Sequence, residues 1–185
     1  MLRRSLIVVV FFLMPLVGVA QAAYDAEAAP DALTVGGSFS YFDGAYSGYK
    51  PMGLVAQVNF APLIWDHVAG QVEGRWLKMN ASRGFAEYNY LAGPVYRISM
   101  SAHSKLHPYV KGLIGEGIVD FPNHLAFGRY FVLAPGGGAD VTLNARWRLQ
   151  ADYEYQIWPQ APGIPGTSGM MKPNGVSVGF TYRIR

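Results

Sequence analysis

The residues able to do chemistry in this chain are few, and their spacing argues against most of it. His103 and His107 stand four apart, the spacing at which two imidazoles on one helix face chelate zinc. Here they bracket a Ser-Lys turn, with no carboxylate or cysteine close in sequence to complete the ligand set. His67 and His124 fall in turn-rich stretches, where solvated surface histidines account for them. Asp152 and Glu154 are two apart and share one face of an extended strand, where they could serve as acid and base. Arginines facing that pair would make structural ions of them instead. Ala134-Pro-Gly-Gly-Gly138 is glycine-rich but lacks the spacing and the following Lys-Ser/Thr of a phosphate loop. Glycine in a strand more simply permits a bend or a close approach. Ala102-His-Ser-Lys105 comes nearest to a serine nucleophile beside a base, and it repeats no known lipid-modifying arrangement. No catalytic, cofactor-binding or metal-ligating residue is expected.

Composition narrows the classes further. The chain has 185 residues, enough for one domain and a targeting segment. Cysteine is absent, which excludes a disulfide framework, thiolate metal sites and thiol-linked lipid. With 51% hydrophobic and 15% charged residues the chain is too apolar to be disordered. Its formal charge of +3 comes from scattered lysines and arginines with no basic run, so no nucleic-acid partner is expected.

Residues 1–22 read as a signal peptide. Arg3 and Arg4 give a positive start, Leu6 to Val17 an apolar run broken by Pro15, and Ala20-Gln-Ala22 a small-x-small cleavage site. The run is shorter than the roughly 20 residues a spanning helix needs. Asp25, Glu27 and Asp31 follow it, where a stop-transfer flank would be basic. Cleavage before Ala23 leaves a polar, alanine-rich periplasmic lead-in (23–32) and then the remainder, 33–185, and predicts an exported bacterial protein.

From residue 33 onward the elements that must position any site alternate with period two. In Trp147–Ile157 the odd positions are Trp147, Leu149, Ala151, Tyr153, Tyr155 and Ile157, and the even ones Arg148, Gln150, Asp152, Glu154 and Gln156. A helix would scatter those charges around its circumference, whereas a strand puts all of them on one face. Val176 to Ile184, Val68 to Trp76 and Glu87 to Ile98 behave alike, with Glu73, Arg75, Glu87, Arg97 and Arg183 on their polar sides. Leu33–Phe42 and Met52–Phe60 alternate more weakly, and Pro108–Gly117 and Tyr130–Asp140, with Lys111 and Asp140 as polar members, are the least regular. Eight strands of about ten residues, with alternately longer and shorter gaps, predict an all-β, eight-stranded antiparallel up-and-down transmembrane β-barrel.

The face assignment decides the solvent. Tyr41, Phe60, Trp76, Tyr88, Trp147, Tyr155 and Tyr182 lie near strand ends on the apolar faces, where an aromatic belt would meet a lipid–water boundary. The polar faces mix both signs of charge. Glu73, Arg75, Glu87, Arg97, Arg148, Asp152, Glu154 and Arg183 are therefore expected to form an ion-pair network in the lumen. An unpaired charge there would cost several kcal/mol.

Ser177-Val-Gly179-Phe-Thr-Tyr182-Arg-Ile184 and Asp152-Tyr-Glu-Tyr-Gln-Ile-Trp158-Pro159 carry a resemblance. The chain is similar to the small eight-stranded outer-membrane β-barrel family of the OmpA/OmpX transmembrane-domain type. The resemblance implies that Ser177, Gly179, Tyr182 and Ile184 form a C-terminal signal for the barrel-assembly machinery, although Arg185 stands last where an aromatic is usual. It also implies an outer-membrane location amid lipid and lipopolysaccharide. A non-enzymatic structural or surface-interaction role follows, with loops 43–51, 79–86, 119–129 and 159–173 facing outward. Tyr46, Tyr49, Phe85, Phe121 and Phe127 in those loops are candidates for touching an extracellular ligand or host surface. The alternatives are a lipid-A-modifying barrel enzyme and a soluble periplasmic ligand-binding barrel.

Overall fold

The computed structural model describes residues 33–44, 50–60, 67–79, 86–99, 104–120, 127–159, 161 and 170–184. The expected signal peptide and lead-in lie outside these residues, as do His103 and His124. Eight strands form in chain order: β1 (Leu33–Asp43), β2 (Met52–Phe60), β3 (Val68–Met79), β4 (Ala86–Arg97), β5 (Leu106–Asp120), β6 (Phe127–Thr142), β7 (Trp147–Tyr155) and β8 (Asn174–Ile184). Each pairs antiparallel with the next, and β1 pairs with β8 from Leu33↔Ile184 to Asp43↔Asn174. The sheet is thus a closed barrel in which every strand has a ladder on both sides, although the outer part of β6, Phe127 to Pro135, runs past its ladder with β7. We call the end holding Leu33 and Ile184 the inner end, and the opposite one the outer end.

Alternation sets the faces, and it sets them in the inverted sense. Phe39, Leu54, Val72, Tyr90, Ile114, Phe131, Val178 and Phe180 are all exposed on the outside wall. Gln57, Gln71, Glu73, Arg75, Asp152 and Glu154 are all buried inside it. On β1 the outward series Leu33 to Tyr41 spans about 26 Å along the strand at ~3.3 Å per residue, or roughly 20 Å once a barrel's tilt is allowed for. That height is close to the ~25 Å apolar band of membrane barrels. A continuous apolar girdle of this size far exceeds the few hundred Å² of apolar patch that a water-soluble monomer usually exposes.

Two strand pairs depart from the sequence expectation. The fifth and sixth strands, expected at Pro108–Gly117 and Tyr130–Asp140, run to 15 and 16 residues. Both faces of these strands carry apolar residues and glycines, so the period-two signal fades before the hydrogen-bonded ladder does. The expected loop 119–129 accordingly shrinks to 121–126, and Phe127 opens β6. β7 ends at Tyr155 rather than Ile157. Beyond it Leu133↔Ile157 and Trp158↔Met171 continue the register as isolated bridges, so the β7–β8 hairpin still rises past the continuous ladder.

The seam closing the barrel is crowded at Gly175, which faces the Tyr41 carbonyl and Phe42, and at Gly179. A Cβ on Gly179 would run into the Gly37 carbonyl and Ser38 of β1, so only hydrogen fits at that crossing. At the inner end the β6–β7 turn is tight. Asn144 Oδ1 accepts the amides of Arg146 and Trp147, both at 2.9 Å, and this side-chain cap fixes the reversal.

Candidate functional site

The lumen is the place where this sequence concentrates its chemistry. β7 delivers Arg148, Gln150, Asp152 and Glu154 inward in a single file, because every second residue of a strand shares a face, and the bridged chain beyond it continues the file with Gln156 and Trp158. β3 contributes Gln71, Glu73 and Arg75 in the same way from across the barrel, and β5 contributes Tyr109 and Lys111.

These meet in one knot of charge. Arg75 bonds Glu73 beside it and reaches Glu154 Oε1 at 2.9 Å across the lumen. Lys111 Nζ lies 2.9 Å from Glu154 Oε2, 3.2 Å from Glu73 Oε2 and 3.3 Å from Asp152 Oδ2. The contact to Glu154 is an ion pair whose angle falls short of a hydrogen bond. Arg75 also packs its guanidinium 4.3 Å above the Phe42 ring. Amides extend the knot: Gln71 donates to Glu73 at 3.0 Å and to Gln57 at 3.1 Å, and Gln57 in turn bonds Gln150. Gln150 donates to the Tyr109 hydroxyl at 2.6 Å, which donates to Asp152 at 3.2 Å.

Of the eight residues expected to share a lumen network, Glu73, Arg75, Asp152 and Glu154 meet in this knot. Glu87 is buried on β4 and accepts from Asn89 Nδ2 at 3.0 Å, apart from any of the knot's ion pairs. Arg97 pairs with Asp140 at 3.0 Å toward the inner end, where its side chain is partly exposed. Arg148 is buried and Arg183 half-buried, both near the same end, and both engage neighbouring groups. Lys111 was absent from the expected network although it holds three carboxylates together. Its parity with Tyr109 and Leu113 was the available signal, but glycines and apolar residues on both faces of β5 concealed it.

Above the knot the lumen turns apolar. Leu91, Leu113, Val119, Val132, Trp158 and Met171 form a buried cluster beneath the outer end, with Tyr130 packed against it. Trp158 is its centre and is completely buried. Its ring occupies the space that a side chain on Gly117 would need. Its indole Nε1 donates to Gln156 Oε1 at 2.8 Å, and Gln156 Nε2 donates to Glu154 Oε1, also at 2.8 Å. Plug and charge knot are thus joined through three successive inward residues of one file. Sequence reading placed Trp158 at the end of the penultimate strand without seeing that it enters the lumen.

Among the described residues, Ser104 and His107 engage a turn and a neighbouring hydroxyl respectively. Ser104 Oγ accepts the Leu106 amide at 3.2 Å and donates to its carbonyl at 3.0 Å, which is turn capping. His107 Nε2 lies 3.1 Å from Thr142 Oγ1. The residues of the C-terminal motif sit along β8. Ser177 bonds Ser40 at 2.6 Å inside the barrel, Tyr182 packs edge-on against Trp147 with centroids 5.0 Å apart, and Ile184 faces outward.

No protein-family model matches the chain, and no curated protein matches it by sequence. Solved structures do match. Neisserial surface protein A aligns with a TM-score of 0.62 at 14% identity, over 82% of this chain and 96% of that one. The outer membrane protein OprG of Pseudomonas aeruginosa gives 0.53 at 12% identity, over 83% and 95%. Ail of Yersinia pestis, in complex with the heparin analogue sucrose octasulfate, gives 0.50 at 19% identity, over 82% and 96%. The chain is an all-antiparallel eight-stranded closed β-barrel, the fold that these outer-membrane barrels share.

Proposed function

We propose that this chain is a non-enzymatic protein of the bacterial outer membrane, crossing it as a barrel that is filled by its own side chains. The observation that carries the reading is the inverted barrel: an apolar girdle outside and an ion-paired charge knot inside. In water that arrangement would expose the apolar face and bury the ions, at a cost on both counts. In lipid the girdle is solvated, and the charges find their partners across the lumen. The resemblance in fold to outer-membrane barrels supports the same location. With eight strands the interior is just wide enough to be packed by side chains. Among the described residues the knot and the plug above it fill the lumen, which supports a role carried by the outer loops and the outer wall.

An even strand number puts both ends of the barrel chain in the periplasm and aims loops 44–51, 80–85, 121–126 and 156–173 outward. Residues 1–22 would be removed on export, and Ser177, Gly179, Tyr182 and Ile184 would engage the assembly machinery. The test is the mobility of outer-membrane material on detergent gels before and after boiling. The folded barrel should migrate differently when unheated, and a single unchanged band in both lanes would end the membrane reading. The mass of the mature N-terminus should begin at Ala23. For the enzyme reading, cells expressing His103→Ala and Ser104→Ala variants should show lipid A of unchanged mass.

A further inference from the structure

We propose that the inner mouth of the barrel is a docking site for the chain's own acidic lead-in, residues 23–32, whose carboxylates neutralise the arginines around that mouth. The inference rests on the membrane reading above and on removal of residues 1–22. Two independent observations meet here: an excess of cations at the mouth, and a run of acids tethered beside it.

Inward positions nearest the inner end carry Arg97 on β4, Arg148 on β7 and Arg183 on β8. Among the described residues the acid beside them is Asp140 on β6, and Arg97 already holds it at 3.0 Å. Arg97 Nε is buried and donates to none of the described groups. Arg148 has Thr181 as its register partner, and Arg183 stands two residues further along the same strand. The two arginines are therefore diagonal neighbours, with backbones roughly 7–8 Å apart. Like charges so close, on a wall of low dielectric, raise a positive potential that draws an anion. Lys105 and Arg146, exposed in the turns of the same end, add to its sign. Asp66, in the β2–β3 turn, lies outside the described residues. The outer end is unlike this one, because an apolar cluster around Trp158 fills the lumen beneath its loops.

The lead-in reads Ala23-Tyr-Asp-Ala-Glu-Ala-Ala-Pro-Asp-Ala32, with Asp25, Glu27 and Asp31 and neither lysine nor arginine. Even with the amine freed at Ala23 it stays acidic, and its sign is opposite to that of the mouth. The tether fixes where these acids can go. The segment joins β1 at Leu33, and the next residue, Thr34, is buried inside the barrel as the register partner of Arg183. Asp31 is three residues from Thr34, within about 10 Å of extended chain. Eight strands at the usual spacing and tilt give a mouth roughly 16 Å across. Ten residues extend over about 33 Å, so Glu27 and Asp25 reach Arg148 and Arg97 as well. A tethered partner acts at a local concentration in the millimolar range, which lets modest ion pairs hold it where a dilute free anion would be lost.

The chain has no cysteine, so an engineered pair reports docking without interference. In the full-length mature protein folded in detergent, Ala29→Cys is combined with Thr142→Cys, the inward register partner of Arg148. Disulfide formation under mild oxidation should slow about tenfold when D25N/E27Q/D31N is added, the factor expected of three partly exposed ion pairs. R148Q/R183Q should slow it in the same direction. High salt should slow the parent and leave the neutralised variant unchanged. The acid substitutions lie outside the barrel strands, so heat-dependent mobility should persist in them. Inorganic phosphate should bind D25N/E27Q/D31N several-fold more tightly than wild type, because the mouth is then vacated. Cross-linking indifferent to the acid substitutions, or equal phosphate binding by the two proteins, would overturn the inference while the barrel keeps its mobility. Phosphate binding raised by Asp66→Asn and not by D25N/E27Q/D31N would assign the mouth to the turn and overturn it too. A mature N-terminus beyond Asp31 would remove the occupant and leave the barrel reading intact. Loss of heat-dependent mobility in wild type would overturn the membrane reading, and the inference with it.

Discussion

The barrel has two unlike inner walls. Along β7, β8 and β1–β3 the inward side chains are mostly polar: Gln150, Asp152, Ser177, Ser40, Gln57 and Glu73 are all buried. Along β4–β6 they are mostly apolar, with Leu91, Leu113, Val119, Val132 and Ala134 buried. Each wall has exceptions, among them Phe42, Val55 and Leu77 on the first and Glu87, Asn89, Lys111 and Asp140 on the second. The two are built on different physics. The polar wall relies on partners at fixed distances, so it tolerates the loss of any one of them poorly. The apolar wall relies on filled volume and is graded in its response. Lys111 is the point at which the second wall reaches into the first.

That contrast orders the expected effects of substitution. Glu154→Ala should be the most damaging, because it strips Arg75 and Lys111 of a shared anion and leaves buried charge uncompensated. A loss of about 4 kcal/mol is expected, read as a lower urea midpoint for the heat-modifiable band. Replacing Glu154, Arg75 and Lys111 together by apolar residues of similar volume should recover much of that loss, and a further loss would show that the knot does not act as a unit.

Trp158→Ala should cost about 3 kcal/mol by opening a cavity at the outer end. It should also quench the coupling through Gln156, so a double-substitution cycle of Trp158→Ala with Glu154→Gln should be non-additive. Strict additivity would mean that the two walls are independent. In planar bilayers the wild type should stay silent.

Gly117→Val should cost about 2 kcal/mol, since its side chain needs the space of the Trp158 ring. Gly117→Val combined with Trp158→Ala should be milder than the two effects summed. Arg129→Gln, at the exposed pair with Glu116 outside both walls, should change stability by less than about 1 kcal/mol. A larger effect would show that the outer surface contributes more than either wall's logic allows.

The same contrast explains how far the sequence could be read. On β7 and β8 a polar inner face opposes an apolar outer face, so alternation gave the strand and its parity, and the aromatic residues and mixed charges gave the inward position of Asp152 and Glu154. On β5 and β6 both faces are apolar or glycine, so alternation vanished. The strand ends there were missed by several residues, and Lys111 stayed out of the network it centres. Trp158 was legible as a strand residue but not as a plug. Its entry into the lumen depends on the missing side chain of Gly117, forty-one positions away in sequence and on another strand. The ~20 Å girdle, by contrast, was foreseeable in kind from the aromatic residues at strand ends.

Composition and period two by themselves determined an eight-stranded barrel turned inside out, and the N-terminal pattern set the expectation of export. That is so because each of these is a property of one residue type or one strand. Which carboxylate meets which cation and where the lumen closes were decided only by tertiary structure. Those contacts join strands through closure of β1 on β8 and a register that no single strand encodes.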